Sequence, residues 1–157
     1  MNYSACHSTV VGGSAADRVW DVVRDFNSYP IWVNGVEESH IEDGKPGTAV
    51  GVIRNFRMGT ARTRQRLVAH SDVDRFFTYE SCEPLLVDDG DVRRTLVRYQ
   101  GTLRVTPVTD RSGSFVEWSA VFDCSPADAD YWCGWWRENP PLWLGSLASY
   151  LGEARRS

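Results

Sequence analysis

Moving a proton beside a carbonyl and returning it to a leaving hydroxyl requires an acid–base group and a donor that can hold the oxygen where charge develops. Glu38, His40 and Asp25 are the acid–base candidates in this chain. Their spacing builds no dyad, and a lone histidine near a strand end reads equally well as a surface group. Arg54 carries a rigid fork of donors suited to an enolate or carboxylate; pairing with Glu38 is its competing structural use. Tyr79 and Tyr99, on neighbouring strands, could donate to a ligand oxygen or shuttle a proton during enolisation, or be core tyrosines bonded to backbone or water. The sequence holds no serine triad wording, nucleophile elbow, phosphate loop or dinucleotide fingerprint, and Gly12-Gly13 is an isolated break.

Composition removes other classes. Cys6, Cys82, Cys124 and Cys133 show no paired spacing with each other or with His7, His40 and His70, so no metal site is expected and the thiols read as small buried residues. The net charge of -4 supplies no basic field for nucleic acid. The row Arg62, Arg64, Arg66 alternates as the wet face of a strand does, with Glu80 and Glu117 available as partners. No apolar run approaches the ~20 residues of a membrane span, and the N-terminus lacks the basic start and apolar core of a signal peptide. The expectation is a cytoplasmic chain folding as one domain over 1–157, with 42% hydrophobic residues to build a core.

The elements that must position the candidates follow from periodicity. A strand over Ala5–Val11 precedes a helix from Ala15 to about Asp25, striped by Val19, Trp20, Val22, Val23 and Phe26, with Ser14 as N-cap. A short helix or turn over 28–34 sets Tyr29, Ile31 and Trp32 against a sheet. Strands are predicted at Val36–Ile41, Ala49–Phe56, Ala61–His70, Phe76–Cys82, Arg94–Thr106 and Phe115–Asp123, about seven with the first. Ser125-Pro126 then opens a C-terminal helix that Asn139-Pro140-Pro141 should break.

Strand alternation points Val116, Trp118, Ala120 and Phe122 inward, opposite Val97, Tyr99, Gly101, Leu103 and Val105, with Gln65, Leu67, Phe77, Tyr79 and Ser81 on the same side. In the helix Trp132 and Trp136 share one face, and Tyr131 and Trp135 the next. One of those faces packs on the sheet; the other could line a pocket mouth, stack on a flat substrate or join a homodimer.

Several stretches carry a resemblance to the START-like superfamily, in particular its polyketide cyclase/dehydrase branch. They are Val19-Trp20-Asp21-Val22-Val23-Arg24-Asp25-Phe26, Tyr29-Pro30-Ile31-Trp32, Ile41-Glu42-Asp43-Gly44, Val50-Gly51-Val52-Ile53-Arg54-Asn55-Phe56, Thr106-Pro107-Val108-Thr109-Asp110 and Phe115-Val116-Glu117-Trp118. The resemblance implies an α+β helix-grip fold, a bent antiparallel sheet wrapped round a long C-terminal helix with two short N-terminal helices. Two positions depart from that branch: Trp32-Val33 replaces a usual Trp-His, and Gln65 replaces an acidic residue on the fourth strand.

The resemblance further implies an internal apolar cavity, expected to hold at least ~300 Å³, lined by Trp32, Gln65, Phe77, Trp118, Trp132 and Trp136. The leading expectation is a cofactor-independent cyclase, dehydratase or related lyase of secondary-metabolite biosynthesis, acting on a polyketide-like or aromatic intermediate through Arg54, Tyr79, Tyr99, Glu38 and His40. The alternative is a non-catalytic carrier or sensor of a hydrophobic small molecule; a tryptophan-mediated protein-interaction module is a third reading.

Overall fold

The structure, a computed structural model, describes residues 1–156. Strand β1 (Tyr3–Gly12) is followed by α1 (Ala16–Val23), α2 (Tyr29–Trp32), β2 (Val36–Ile41), β3 (Ile53–Met58), β4 (Ala61–Ser71), β5 (Phe76–Ser81), β6 (Leu85–Asp89), β7 (Val92–Pro107), β8 (Gly113–Cys124), a 3-10 turn (Pro126–Asp128) and α3 (Ala129–Arg156). All pairings are antiparallel, in the order β1-β8-β7-β5-β4-β3-β2, with β6 added to the far end of β7. The sheet and α3 together give the helix-grip arrangement.

The eighth strand is one more than the punctuation suggested. Leu85–Asp89 folds back on Val92–Leu96 through Gly90-Asp91, with Gly90 at φ 64°, so a Gly-Asp pair inside what read as a plain break is a two-residue hairpin turn. The third strand also starts later than expected. Residues 49–52 form turns, with Gly51 at φ 98° and its N–H on the Leu67 carbonyl.

Alternation holds along β8, where Val116, Trp118, Ala120 and Phe122 are all buried, and along most of β7. A register shift between Leu96 and Arg98 corrects it at the start of β7: Leu96 turns inward and Val97 is left exposed. The same alternation puts Cys6 on the outer face of β1, and Cys82 and Cys133 are only half-buried; Cys124 alone is a buried thiol.

Helix α1 buries Ala16, Val19, Trp20 and Val23, but it begins after Ala15, with no side-chain cap. Ser14 is itself buried, and its carbonyl accepts the Ser114 hydroxyl at 2.5 Å. Ile31, expected against the sheet, is exposed. Helix α3 runs unbroken through Pro140 and Pro141, contrary to the expected break. The prolines remove two backbone donors, yet buried side chains on both sides, Trp132 and Trp136 before and Leu144, Leu147 and Leu151 after, hold one axis against the sheet. Each such side chain contributes about 1.5–3 kcal/mol, enough to outweigh the local cost. No helix among the described residues is long and apolar enough to cross a membrane.

Gly101 of β7 lies directly across from Tyr79 of β5, whose ring covers the space a side chain would fill. An added Cβ would collide with Tyr79 Cζ and Oη. Gly101→Ala is therefore expected to lower stability by about 1–3 kcal/mol, read as a lower denaturant midpoint. An unchanged midpoint would show that the Tyr79 ring is not fixed by this contact.

Candidate functional site

Between the inner face of the sheet and α3 lies a cavity of about 170 Å³. Tyr99, Trp118, Trp135, Trp136 and Trp143 supply much of its wall, with Tyr29, Gln65 and Tyr79 as polar members. Its exposed lining residue Ala61 and the half-buried Met58, Thr63, Leu85, Val87, Trp135 and Trp143 mark the side nearest solvent. The volume falls below the expected one because indoles occupy the space: Trp143 lies 5.0 Å from Trp118 and 5.6 Å from Trp135, centroid to centroid. An apolar cavity of ~150 Å³ still admits benzene.

Behind this wall sits Arg54, wholly inaccessible and the one charged residue in the buried set among the described residues. Its Nε and Nη2 donate to Gln65 Oε1 at 2.8 and 2.5 Å, Nη2 also donates to the Tyr29 hydroxyl at 2.8 Å, and Nη1 donates to the Phe26 carbonyl at 3.1 Å. The guanidinium carbon stands 3.8 Å from the centre of the Phe26 ring and 3.7 Å from that of Tyr29. Every one of these acceptors is neutral. Burial pulls the Arg54 pKa below its ordinary value, but an arginine stays protonated in a protein, so a buried positive charge is held by amide, phenol, carbonyl and ring faces with no carboxylate against it.

The polar side chains next to Arg54 pass its donors toward the cavity. Gln65, its oxygen taken twice by Arg54, turns its amide nitrogen to the Tyr99 hydroxyl at 2.7 Å. Trp118 Nε1 donates to the Tyr79 hydroxyl at 3.0 Å. Tyr29, Tyr79 and Tyr99 thus each accept a bond from a nitrogen donor; Tyr29 and Tyr79 also bond to each other, which leaves Tyr99 with its own O–H to give. Burial raises all three pKa values, that of Tyr99 to about 12; at neutral pH they are phenols and act as donors. Trp136 adds an indole N–H that is buried without a protein acceptor.

The expected site residues divide. Gln65, Tyr79, Tyr99, Trp118 and Trp136 line the cavity. Arg54 does not; it stands one layer behind. Trp32 is buried with its indole N–H on Ser28 Oγ at 3.0 Å, and it props the ring of Tyr29. Phe77 packs beneath Tyr79 against Phe26, and Trp132 packs inward beside Tyr131 and Trp135 without lining the space. Glu38 and His40 lie exposed on β2. Glu38 pairs with Arg62 and Arg57 rather than Arg54, and those arginines hold its pKa below the usual carboxylate value. The outer arginine row is paired: Arg62 with Glu38, Arg64 with Glu42 and Glu83, Arg66 with Glu80. Asp25 is also exposed, accepting the Asn27 N–H at 2.8 Å.

Sequence reasoning missed Tyr29 and Trp143 as lining residues, and had Trp135 only on one of two helix faces left open for the pocket mouth. The signal for Tyr29 was available: a buried arginine needs acceptors, and the Tyr-Pro-Ile-Trp turn offered one.

A family model described as polyketide cyclase / dehydrase and lipid transport matches residues 8–151. Among solved structures, a protein from Thermobifida fusca is 26% identical, with TM-score 0.77 over 94% of this chain and 92% of that one. The di-domain ARO/CYC BexL from the BE-7585A biosynthetic pathway is 13% identical with TM-score 0.75; the match covers 96% of this chain and 46% of BexL. Norcoclaurine synthase from Thalictrum is 16% identical, with TM-score 0.69 over 99% and 96% of the two chains. At these last two identities the likeness is one of fold. No curated protein matches the sequence.

Arg54→Met would strand Gln65 Oε1 and the Phe26 carbonyl inside the core, at about 1–3 kcal/mol for each stranded group, whereas Tyr29→Phe removes a single acceptor and costs about 1 kcal/mol. Denaturant unfolding of both variants is expected to give that order. An Arg54→Met protein as stable as the parent would contradict the network.

Proposed function

The chain belongs to the polyketide cyclase/dehydrase and lipid transport family, and from that membership we propose that it holds a polyketide-like or aromatic intermediate in the inner cavity and promotes its cyclisation or dehydration. The observation that carries this reading is the set of phenol donors at the cavity, backed by a buried cation. A ring-lined space folds a flexible chain so that its carbon nucleophile meets a carbonyl, replacing an encounter by an intramolecular step. Tyr99 donates to the carbonyl oxygen. As an enolate or alkoxide forms, its charge grows, and fixed donors bind it better than they bind the neutral ketone. Arg54 acts here as a positioning residue: it orients Gln65 and Tyr29 and strengthens the donors ahead of it. In a dehydration, a tyrosine O–H is also placed to protonate the departing hydroxyl.

A second reading, a carrier of an apolar small molecule, has one observation in its favour. Among the described residues none lining the cavity bears a carboxylate or imidazole, so the proton that must leave carbon has no strong base beside it, and Glu38 and His40 sit on β2 in solvent.

Turnover separates the two. When the protein is added to a poly-β-ketone released by a polyketide synthase, mass spectrometry should show one cyclised product enriched over the spontaneous mixture. Tyr99→Phe should lower that enrichment by about 100-fold with ligand retention reduced far less. A product mixture identical with and without the protein would favour the carrier.

A further inference from the structure

The donor set has no counterpart of acceptors. Of the polar side chains lining the cavity, Tyr99 accepts from Gln65 and keeps its O–H to give, Tyr29 and Tyr79 accept from Arg54 and Trp118 and bond to each other, Gln65 has its oxygen consumed by Arg54, and Trp136 is an indole donor buried without a partner. Thr63, half-buried, is the remaining lining hydroxyl and can act either way. The one buried charge behind the wall is positive, and its direct acceptors carry no negative charge. Buried charges are ordinarily paired. Here the cavity side of the network offers hydrogen-bond donors under a positive field and no base.

We infer that the cavity selects ligands bearing an oxyanion, a carboxylate or an acidic phenol or enol, on a compact aromatic skeleton, with the ligand supplying the negative charge that Arg54 lacks. This rests on the reading of the cavity as the ligand site and specifies the chemistry of what enters it. The indoles of Trp118, Trp135 and Trp143 receive the flat apolar body; the oxyanion meets Tyr99 and the free Trp136 N–H, and Arg54 is felt through Gln65. Hydrogen bonds to an ionised acceptor are about twice as strong as neutral ones, and a cationic skeleton of the same shape would face donors and a like charge.

The test compares probes of one shape, p-toluate, p-tolylmethanol and p-methylbenzylammonium, together with p-nitrophenolate, by calorimetry and tryptophan fluorescence at a pH where both acids are ionised. The expected result is that p-toluate binds at least about tenfold tighter than the alcohol, with the ammonium weakest; p-nitrophenolate binding as well would extend the class from carboxylates to phenols. Gln65→Glu places a carboxylate directly on Arg54, keeps the side-chain shape, and should hold or raise the melting temperature while abolishing the preference for p-toluate. Trp136→Phe should weaken p-toluate several-fold and the alcohol little. The alcohol binding as tightly as p-toluate would overturn the inference and leave the cavity a ligand site. Retention of the preference in folded Gln65→Glu would overturn the part assigned to Arg54. Failure of every probe to bind would overturn the inference together with the ligand-site reading on which it rests.

Discussion

A guanidinium taken wholly out of water and held without a carboxylate is the constraint around which this fold is arranged. Its cost must be recovered from hydrogen bonds and ring faces, and the residues that provide them come from far apart in the chain. Phe26 follows α1, Tyr29 opens α2, and Gln65 lies on β4 directly across from Arg54 on β3. Satisfying Arg54 therefore fixes how the N-terminal helices sit against the sheet, and the same bonds set the direction of the phenols that reach the cavity. Structure and site chemistry share one network.

The second determinant is aromatic volume. Tyr79 can lie flat because Gly101 opposite it has no side chain. Trp136 stacks near Phe122 at 6.2 Å and tilts against Tyr99 at 5.8 Å. These rings leave a cavity that is small, with flat walls. Flat aromatic walls suit a planar ligand, and α3 adds Trp143 to Trp135 and Trp136 only because it continues through Pro140 and Pro141.

Much of the fold was legible because its signals are local and periodic. The alternation of β8, the stripe of α1 and the closing helix all follow from residue spacing. What escaped depended on distant partners. One extra residue at Val97 shifts the parity of β7; the Gly90 turn makes a strand only because β7 is long enough to receive it; and the helix survives its prolines through packing on the sheet. In the site, strand parity identified Gln65, Tyr79, Tyr99 and Trp118, since the inner face of a strand can be read from its pattern. Glu38 and Arg54 could not be separated that way, because their pairing depends on which face β2 turns outward. Trp143 required knowing that the helix continues past its prolines and brings this ring beside Trp135.

The central claim is that the cavity interior is electrostatically positive because of Arg54 and the donors ahead of it. The most direct measurement is the carboxyl pKa of carbon-13-labelled p-toluic acid bound to the protein, followed by NMR as pH is lowered. Burial alone would raise it above the value free in water. The account predicts that donors and the Arg54 charge outweigh desolvation, so the bound pKa lies below the free value; a bound pKa above it would contradict the claim.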